Sequence, residues 1–325
     1  GEEWRRGWHP EIIKPRISKQ KTLVVGSGPA GLECAMQLAR RNYDVILSES
    51  SAALGGRIQF ESNLKGLSAW GRVCDYRVHE IQQKTNIDIY TQSTVTQELV
   101  DELDIDNIFL ATGCYWRDDG VGRSNRQGIT GLANINVLTP TDVLQQQDSL
   151  EGSVVIYDDD QGYLGGVIAD HLSSIGLNIT FITPASVVSP WTENTLEQVR
   201  VQKTLLNQGV NIIPNQVLFH AHKDKIEARC IYTDRVTHIP CNTLILVTER
   251  LPETDLYQQL TAPTKTANLK KQRRIELIGD ALVPSLIADA VFSGHLAAEN
   301  FETPQNEIEN ALFQREMPSL THPRE

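Results

Sequence analysis

Residues 21–31 read KTLVVGSGPAG, and helical sequence continues from there to Arg41. Thr22, Leu23, Val24 and Val25 favour a buried strand that stops at Gly26. Glycines at 26, 28 and 31 then follow at the spacing of a strand, a tight turn and a helix. In that arrangement Gly26 makes the turn, Gly28 leaves the backbone bare for a pyrophosphate, and Gly31 lets the helix sit close to the strand. Ser27, Pro29 and Ala30 fill the rest of the loop, and Pro29 suits an early helical position because no donor is needed there. The helix start then offers an anion its free N–H groups and the positive end of the helix dipole.

Glycine-rich turns occur in many loops, so the context decides. Leu32, Ala35, Met36 and Ala39 recur on one helix face, a second strand follows at 45–48, and Glu49 comes 18 residues after Gly31 (49 minus 31). An acid at that place, here with Ser50 beside it, accepts hydrogen bonds from an adenosine ribose and repels a 2'-phosphate. Further on, Gly56 permits close backbone approach and Arg57 offers a donor fork to a phosphate or carboxylate. A strand at 107–110 ends in Ala111, Thr112 and Gly113, small residues of the kind a cofactor crossing a sheet requires. The plainer alternatives are an empty nucleotide-type unit with a surface glutamate, and ordinary turns at 53–57 and 111–113.

At 325 residues the chain exceeds the usual single core, so two domains are expected. The expected boundaries are an arm at 1–19 carrying Trp4 and Trp8, a first domain at 20–150 and 253–325, and a second domain at 151–252. The net charge of −11, without a dense Lys/Arg stripe, argues against a nucleic-acid surface and against docking on anionic membranes. No apolar run approaches the ~20 residues of a membrane span, and a cytoplasmic protein is expected. Cys34, Cys74, Cys114, Cys230 and Cys241 are scattered singly and read as buried thiols, which leaves no iron–sulfur cluster, CxxC disulfide or zinc site; no metal ligands are assigned.

Residues 153–182 repeat the opening pattern. Aligning VVIY on LVVG without a gap places Tyr157, Asp159 and Gly162 where Gly26, Gly28 and Gly31 stand, and Thr183 where the acid stood. Asp158, Asp159 and Asp160 would then set negative charge where two phosphates lie, so this domain reads as degenerate. Strands are expected at 210–213, 225–232 and 243–247, with an exit from the domain at Leu251-Pro252. A short strand at 275–278 ends in Gly279-Asp280-Ala281, followed by a helix at 285–300 whose Ile287, Val291 and Ala298 are expected to face the core. His295 in that helix reads as a hydrogen-bonded packing residue rather than a base, and no catalytic residue is assigned.

GSGPAG at 26–31, Glu49, GGR at 55–57, ATG at 111–113 and IGDA at 278–281 together resemble the two-domain flavin and dinucleotide oxidoreductase fold. That fold is α/β, with two Rossmann-like FAD/NAD(P)-binding-type domains, the second inserted into the first. GEEWRRGWHP at 1–10, YDDDQGYLGG at 157–166 and LIADAVFSGH at 286–295 narrow the likeness. They resemble the C-terminal half of the trimethylamine dehydrogenase family, which includes dimethylamine, histamine and dimethylglycine-type dehydrogenases and is related to 2,4-dienoyl-CoA reductase.

The resemblance implies an N-terminal barrel with FMN and substrate, then cysteines holding an iron–sulfur centre, both preceding the region seen here. The chain accordingly reads as a fragment, inactive alone, of a flavoprotein oxidoreductase that demethylates or dehydrogenates a methylated amine. Its expected partners are an adenine nucleotide and the absent barrel half, with homo-oligomerisation of the full-length protein left open. The family holds ADP or FAD at the first site, and the matching positions here are Gly26, Ser27, Gly28, Pro29, Ala30, Gly31, Glu49 and Arg57, with Gly279 and Asp280 for a flavin's ribityl and phosphates. Two other functions compete: a free-standing FAD-dependent NAD(P)H oxidoreductase, and a non-catalytic ADP-binding scaffold docking through Trp4 and Trp8.

Overall fold

The computed structural model describes residues 13–145, 150, 152–262, 273–304 and 306. The expected arm up to residue 12, with both its tryptophans, lies outside the described residues. The chain divides into two compact units. One takes in the described parts of Gly1–Gly56, Cys74–Thr112 and Thr254–Glu325, the other Arg57–Val73 and Gly113–Glu253.

In the first unit β1 (Lys21–Val25), β2 (Asp44–Ser48), β3 (Ile87–Tyr90), β4 (Asn107–Leu110) and β15 (Arg274–Leu277) form one parallel sheet, ordered β15-β4-β1-β2-β3. The chain winds outward in both directions from β1, so the C-terminal ends of β1 and β4 open the crevice where such sheets take ligands. β1 is buried on both sides from Thr22 to Val25, which is why its sequence runs apolar instead of alternating.

The helix Pro29–Arg40 buries every residue from Ala30 to Ala39, and not one face alone. It packs against the sheet and also against the helix Ile287–Asn300. That second helix buries Ala290, Gly294, Ala297 and Ala298. Of the three residues expected to face the core only Ala298 does so; Ile287 and Val291 are half-buried. The reason is steric: a Cβ added at Gly294 would stand 2.1 Å from the Ala30 carbonyl oxygen. Backbone meets backbone there, and branched side chains have no room.

In the second unit β6 (Asn136–Leu138), β7 (Val154–Asp158), β8 (Ile179–Ile182), β9 (Asn211–Ile213) and β13 (Thr243–Val247) form another parallel sheet, ordered β6-β13-β7-β8-β9. Val154 and Ile156 face one apolar core with the helix Leu164–Ser174. Val155 and Tyr157 face another, closed by the antiparallel strands β10 (Gln216–Ala221), β11 (Lys225–Cys230) and β12 (Val236–Pro240). Residues 113–145, expected with the first domain, belong to this unit. β6 extends its sheet along β13, and β5 (Cys114–Trp116) pairs antiparallel with β14 (Arg250–Pro252), so Leu251-Pro252 lies within a ribbon. Cys34, Cys74 and Cys241 are buried free thiols, but Cys114 and Cys230 are only half-buried.

Arg41 closes the first unit. It is 1% exposed, and its Nη1 donates to the carbonyl oxygens of Ala298, of Glu299 at 3.3 Å and of Phe301 at 3.2 Å, capping the last turn of Ile287–Asn300 with a cation. Replacing it with methionine keeps the stem but strands those carbonyls. Arg41→Met is expected to lower stability by about 2–4 kcal/mol, measured by urea titration of the first unit's signal. A loss below about 0.5 kcal/mol would show that the carbonyls find other donors.

Candidate functional site

The crevice at the ends of β1 and β4 gathers most of the residues singled out from sequence. Gly26 has φ +96°, and a Cβ there would lie 2.3 Å from the Ala111 carbonyl oxygen, so both the turn and the neighbouring strand end demand glycine. Gly31 packs on Gly26 with 1.9 Å between its would-be Cβ and the Gly26 oxygen. Ala111 is tied to β1 by its N–H to the Val25 carbonyl at 2.8 Å, and the Thr112 nitrogen lies 3.5 Å from the would-be Gly26 Cβ. Ala30 is pressed between Gly294 and Gly279, whose would-be Cβ lies 2.5 Å from the Ala30 Cβ.

Gly28 differs from these neighbours. It caps the helix Pro29–Arg40 with ordinary dihedrals, φ −66° and ψ −178°, Pro29 follows it in the first turn, and no side chain caps the helix start. A Cβ at Gly28 would meet nothing within 4 Å. The backbone does not need this glycine, whereas a phosphate approaching bare N–H groups does. Gly56 stands beside it, its would-be Cβ 3.0 Å from the Gly28 Cα.

Glu49 sits at the end of β2, 8% exposed, with its acceptor sites engaged. Its Oε2 receives the Ser27 N–H at 2.8 Å and the Ser27 hydroxyl at 2.6 Å; its Oε1 receives the Ser51 N–H at 2.8 Å and the Ser50 hydroxyl at 3.3 Å. Burial pushes this carboxyl up, but the Ser27 and Ser51 donors outweigh it and hold it below its ordinary 4.5. The carboxylate therefore fastens the glycine turn to the end of β2.

A second buried acid was not read from sequence. Glu33, 4% exposed in the helix Pro29–Arg40, receives Arg77 Nε at 2.6 Å and Gln37 Nε2 at 2.8 Å and lies 2.9 Å from His295 Nδ1. Burial raises its pKa, yet the His295 and Arg77 contacts bring it below the ordinary value. His295 is thus a hydrogen-bonded packing residue that joins two helices. The only hint in the sequence was a charged residue amid Leu32, Cys34, Ala35 and Met36.

Other expected site residues have different neighbours. The Gly279 N–H donates to Ser293 Oγ at 2.9 Å, and Asp280 Oδ1 receives the Ser285 N–H at 3.0 Å. Arg57 and Gly113 fall in the second unit. There Arg57 donates to Glu61 Oε1 at 2.7 Å and to Cys114 Sγ at 3.1 Å, and the Gly113 carbonyl receives the Glu253 N–H at 2.9 Å.

The corresponding turn of the second unit departs from the gap-free alignment. Three residues, 26–28, separate β1 from its helix, but five, 159–163, separate β7 from Leu164–Ser174. Gly162 therefore does not occupy the place of Gly31. Gly165 and Gly166 of the helix do the close packing, with the Asp158 Cγ 2.8 Å from the would-be Gly165 Cβ. Nor do the aspartates line an open phosphate site, because Asp158 and Asp159 are fully buried. Asp158 Oδ1 receives the Gln161 N–H at 2.8 Å, and Asp159 Oδ2 receives the Ser124 N–H at 2.7 Å. Burial, with Asp160 adding to it, pushes the Asp158 carboxyl well above the ordinary carboxylate value. The Trp191 N–H lies across the turn on the Gln161 carbonyl at 3.2 Å. Among the described residues no group of three or more His, Cys, Asp or Glu could hold a metal ion, and no helix is long and apolar enough to cross a membrane.

Comparison with known proteins bears on this geometry. A family model described as pyridine nucleotide-disulphide oxidoreductase matches residues 20–276. The chain is 29% identical to dimethylamine dehydrogenase of Hyphomicrobium sp. (strain x), covering 100% of this chain and 48% of that protein. Histamine dehydrogenase from Rhizobium sp. 4-9 superposes with a TM-score of 0.87 at 39% identity, over 93% of this chain and 47% of that one. The 6-hydroxypseudooxynicotine amine oxidase of Pseudomonas geniculata N1 gives 0.87 at 38%, over 93% and 45%. The chain thus spans about half the length of these relatives, and the likeness to the C-terminal half of the trimethylamine dehydrogenase family is borne out.

Glu49 yields a pH signature. Its folded pKa lies below 4.5, so its stabilisation is complete above that value and is lost as pH falls through the depressed folded value. Glu49→Gln should therefore be less stable than the parent at pH 7, and the gap should narrow at acid pH. Paired urea titrations at pH 7 and about pH 3 check this, and a gap that stays constant would mean that Glu49 is not ionised in the fold.

Proposed function

Because the chain belongs to the pyridine nucleotide-disulphide oxidoreductase family, whose model matches more than half of it, we propose that its first unit holds an adenine nucleotide, either ADP or the ADP portion of FAD. On this reading it is the nucleotide-binding region of a longer flavin and iron–sulfur oxidoreductase acting on a methylated amine, and is not catalytic alone. The observation that carries the proposal is Gly28, a helix-capping glycine with ordinary dihedrals, no side-chain cap and open space where its Cβ would be. The amine class rests on the two amine dehydrogenases to which the chain is similar. A bound flavin supplies reversible hydride acceptance; this chain's residues supply its anchorage. Gly26 to Gly31 would receive the pyrophosphate, and Glu49, already fastening Ser27, would face the ribose.

A free-standing FAD-dependent NAD(P)H oxidoreductase is the second reading, favoured by the pyridine nucleotide in the family's description. The second unit's turn speaks against it. The Gln161 N–H is bonded to Asp158, so a donor that a pyrophosphate would use is already satisfied within the chain.

Two glycine variants separate ligand contact from folding. Gly28→Val should cost only about 1 kcal/mol of helix capping yet abolish calorimetric binding of ADP and FAD. Gly31→Val should instead destabilise by about 3 kcal/mol or more, because its side chain meets the Gly26 carbonyl. ADP bound equally well by Gly28→Val would remove the assignment. For the second unit, titration with NADH followed by nicotinamide fluorescence should show no saturation at micromolar concentrations; saturation would bring the second reading forward.

A further inference from the structure

A crevice of about 100 Å³ lies within the second unit, between the helix Leu164–Ser174 and the helix Gln198–Asn207. Each helix presents residues at i, i+3, i+4 and i+7 spacing: Tyr163, Gly166, Val167 and Asp170 on one side, Glu197, Arg200, Val201 and Thr204 on the other. Gly166 on the wall of this groove lets the two helices pack closely. A Cβ there would lie 2.6 Å from Ser189 Oγ and 2.9 Å from Val201 Cγ1.

The end wall is aromatic. Trp70 and Tyr163 stand edge to face with centroids 4.7 Å apart at 76°, forming a corner, and Tyr163 is fixed by its hydroxyl donating to Glu61 Oε2 at 2.8 Å. The polar lining consists mainly of acceptors. Thr192 donates its only hydroxyl proton to the Ser189 carbonyl at 2.7 Å and Thr204 donates its own to the Arg200 carbonyl at 2.9 Å, which leaves lone pairs on both oxygens. Asp170 receives Gln208 Nε2 at 2.6 Å and Lys65 Nζ at 3.2 Å, both on Oδ1, and its Oδ2 has no protein partner among the described residues. The two cations on the rim are mostly in solvent: the Lys65 side chain is 59% exposed against 17% for Asp170, and that of Arg200 is 67% exposed.

We propose that this crevice is a binding site for a small organic ammonium ion, held by Asp170 and the threonine oxygens with its alkyl part against Trp70 and Tyr163. Aromatic faces and acceptor oxygens together favour a desolvated cation over a neutral molecule or an anion. The volume suits a ligand of a handful of heavy atoms. Lys65 competes with the guest for Asp170, and this competition makes the test specific.

The test is a calorimetric titration of the full chain with isopropylammonium chloride, against isopropanol as the neutral molecule of the same shape and against sodium chloride at equal ionic strength. Isopropylammonium is expected to bind saturably in the millimolar range, within reach of so few atoms, and isopropanol at least about tenfold more weakly. Asp170→Asn should weaken ammonium binding by about tenfold. Lys65→Met should strengthen it by about threefold, a gain that a merely structural lysine would not produce. Retained unfolding midpoints in both variants keep the comparison interpretable. Equal binding of alcohol and ammonium, no saturation, or a Lys65→Met variant with unchanged or weaker affinity would overturn the proposal.

Discussion

The backbone contact of Ala30 with Gly294 sets how the first unit is built. Two helices approach until a carbonyl oxygen stands 2.1 Å from where a side chain would begin, so both must be small at that height. Ala290, Ala297 and Ala298 continue the small face, and the helix Pro29–Arg40 is buried all round as a result. Its start is then fixed from three directions: by Gly31 on Gly26, by Gly279 on Ala30, and by Glu33 in its bonds to Arg77 and His295. Gly28, alone among the turn's three glycines, has open space where its Cβ would be. Rigid packing on every side but one is how a fold keeps a backbone surface ready for an anion.

The second unit keeps the sheet order but uses the end of its central strand differently. Where the first unit has a bare turn, the second has two more residues, a fully buried Asp158 and a loop laid across the turn by Trp191. The Gln161 N–H ahead of its helix bonds to the chain's own Asp158 carboxylate. One architecture thus carries two turns whose local chemistry differs. One open volume in the second unit lies beside its helix, along the face of Gly166 and Val167.

Much of the first unit was legible because its signals are local. The strand at 107–110, like that at 243–247 in the second unit, was read to the residue, since short apolar runs bounded by polar or glycine residues have few alternatives. The glycine turn and Glu49 were legible for the same reason. What escaped depends on contacts between distant parts of the chain. Nothing near residue 159 announces that its carboxylate turns inward, because the Ser124 and Asn125 amides that hold it lie far away in sequence. β12 escaped because it buries only Ile239, and β10 because a register shift between Leu218 and His220 breaks its alternation. The assignment of 113–145 failed because β6 and β5 are three residues each and gain their identity from the strands they meet.

The sheet order also governs the sequence of events during synthesis. β4 ends at Leu110, and its outer neighbour β15 begins only at Arg274. Nearly all of the second unit emerges from the ribosome between them. Its own parallel sheet is completed once β13 has appeared, whereas the first sheet must wait with the flank of β4 unpaired. The first unit therefore has the longer-range contacts and is expected to be the slower to fold. The second should reach its native state first, and co-translational aggregation, where it occurs, should start from the exposed edge of β4.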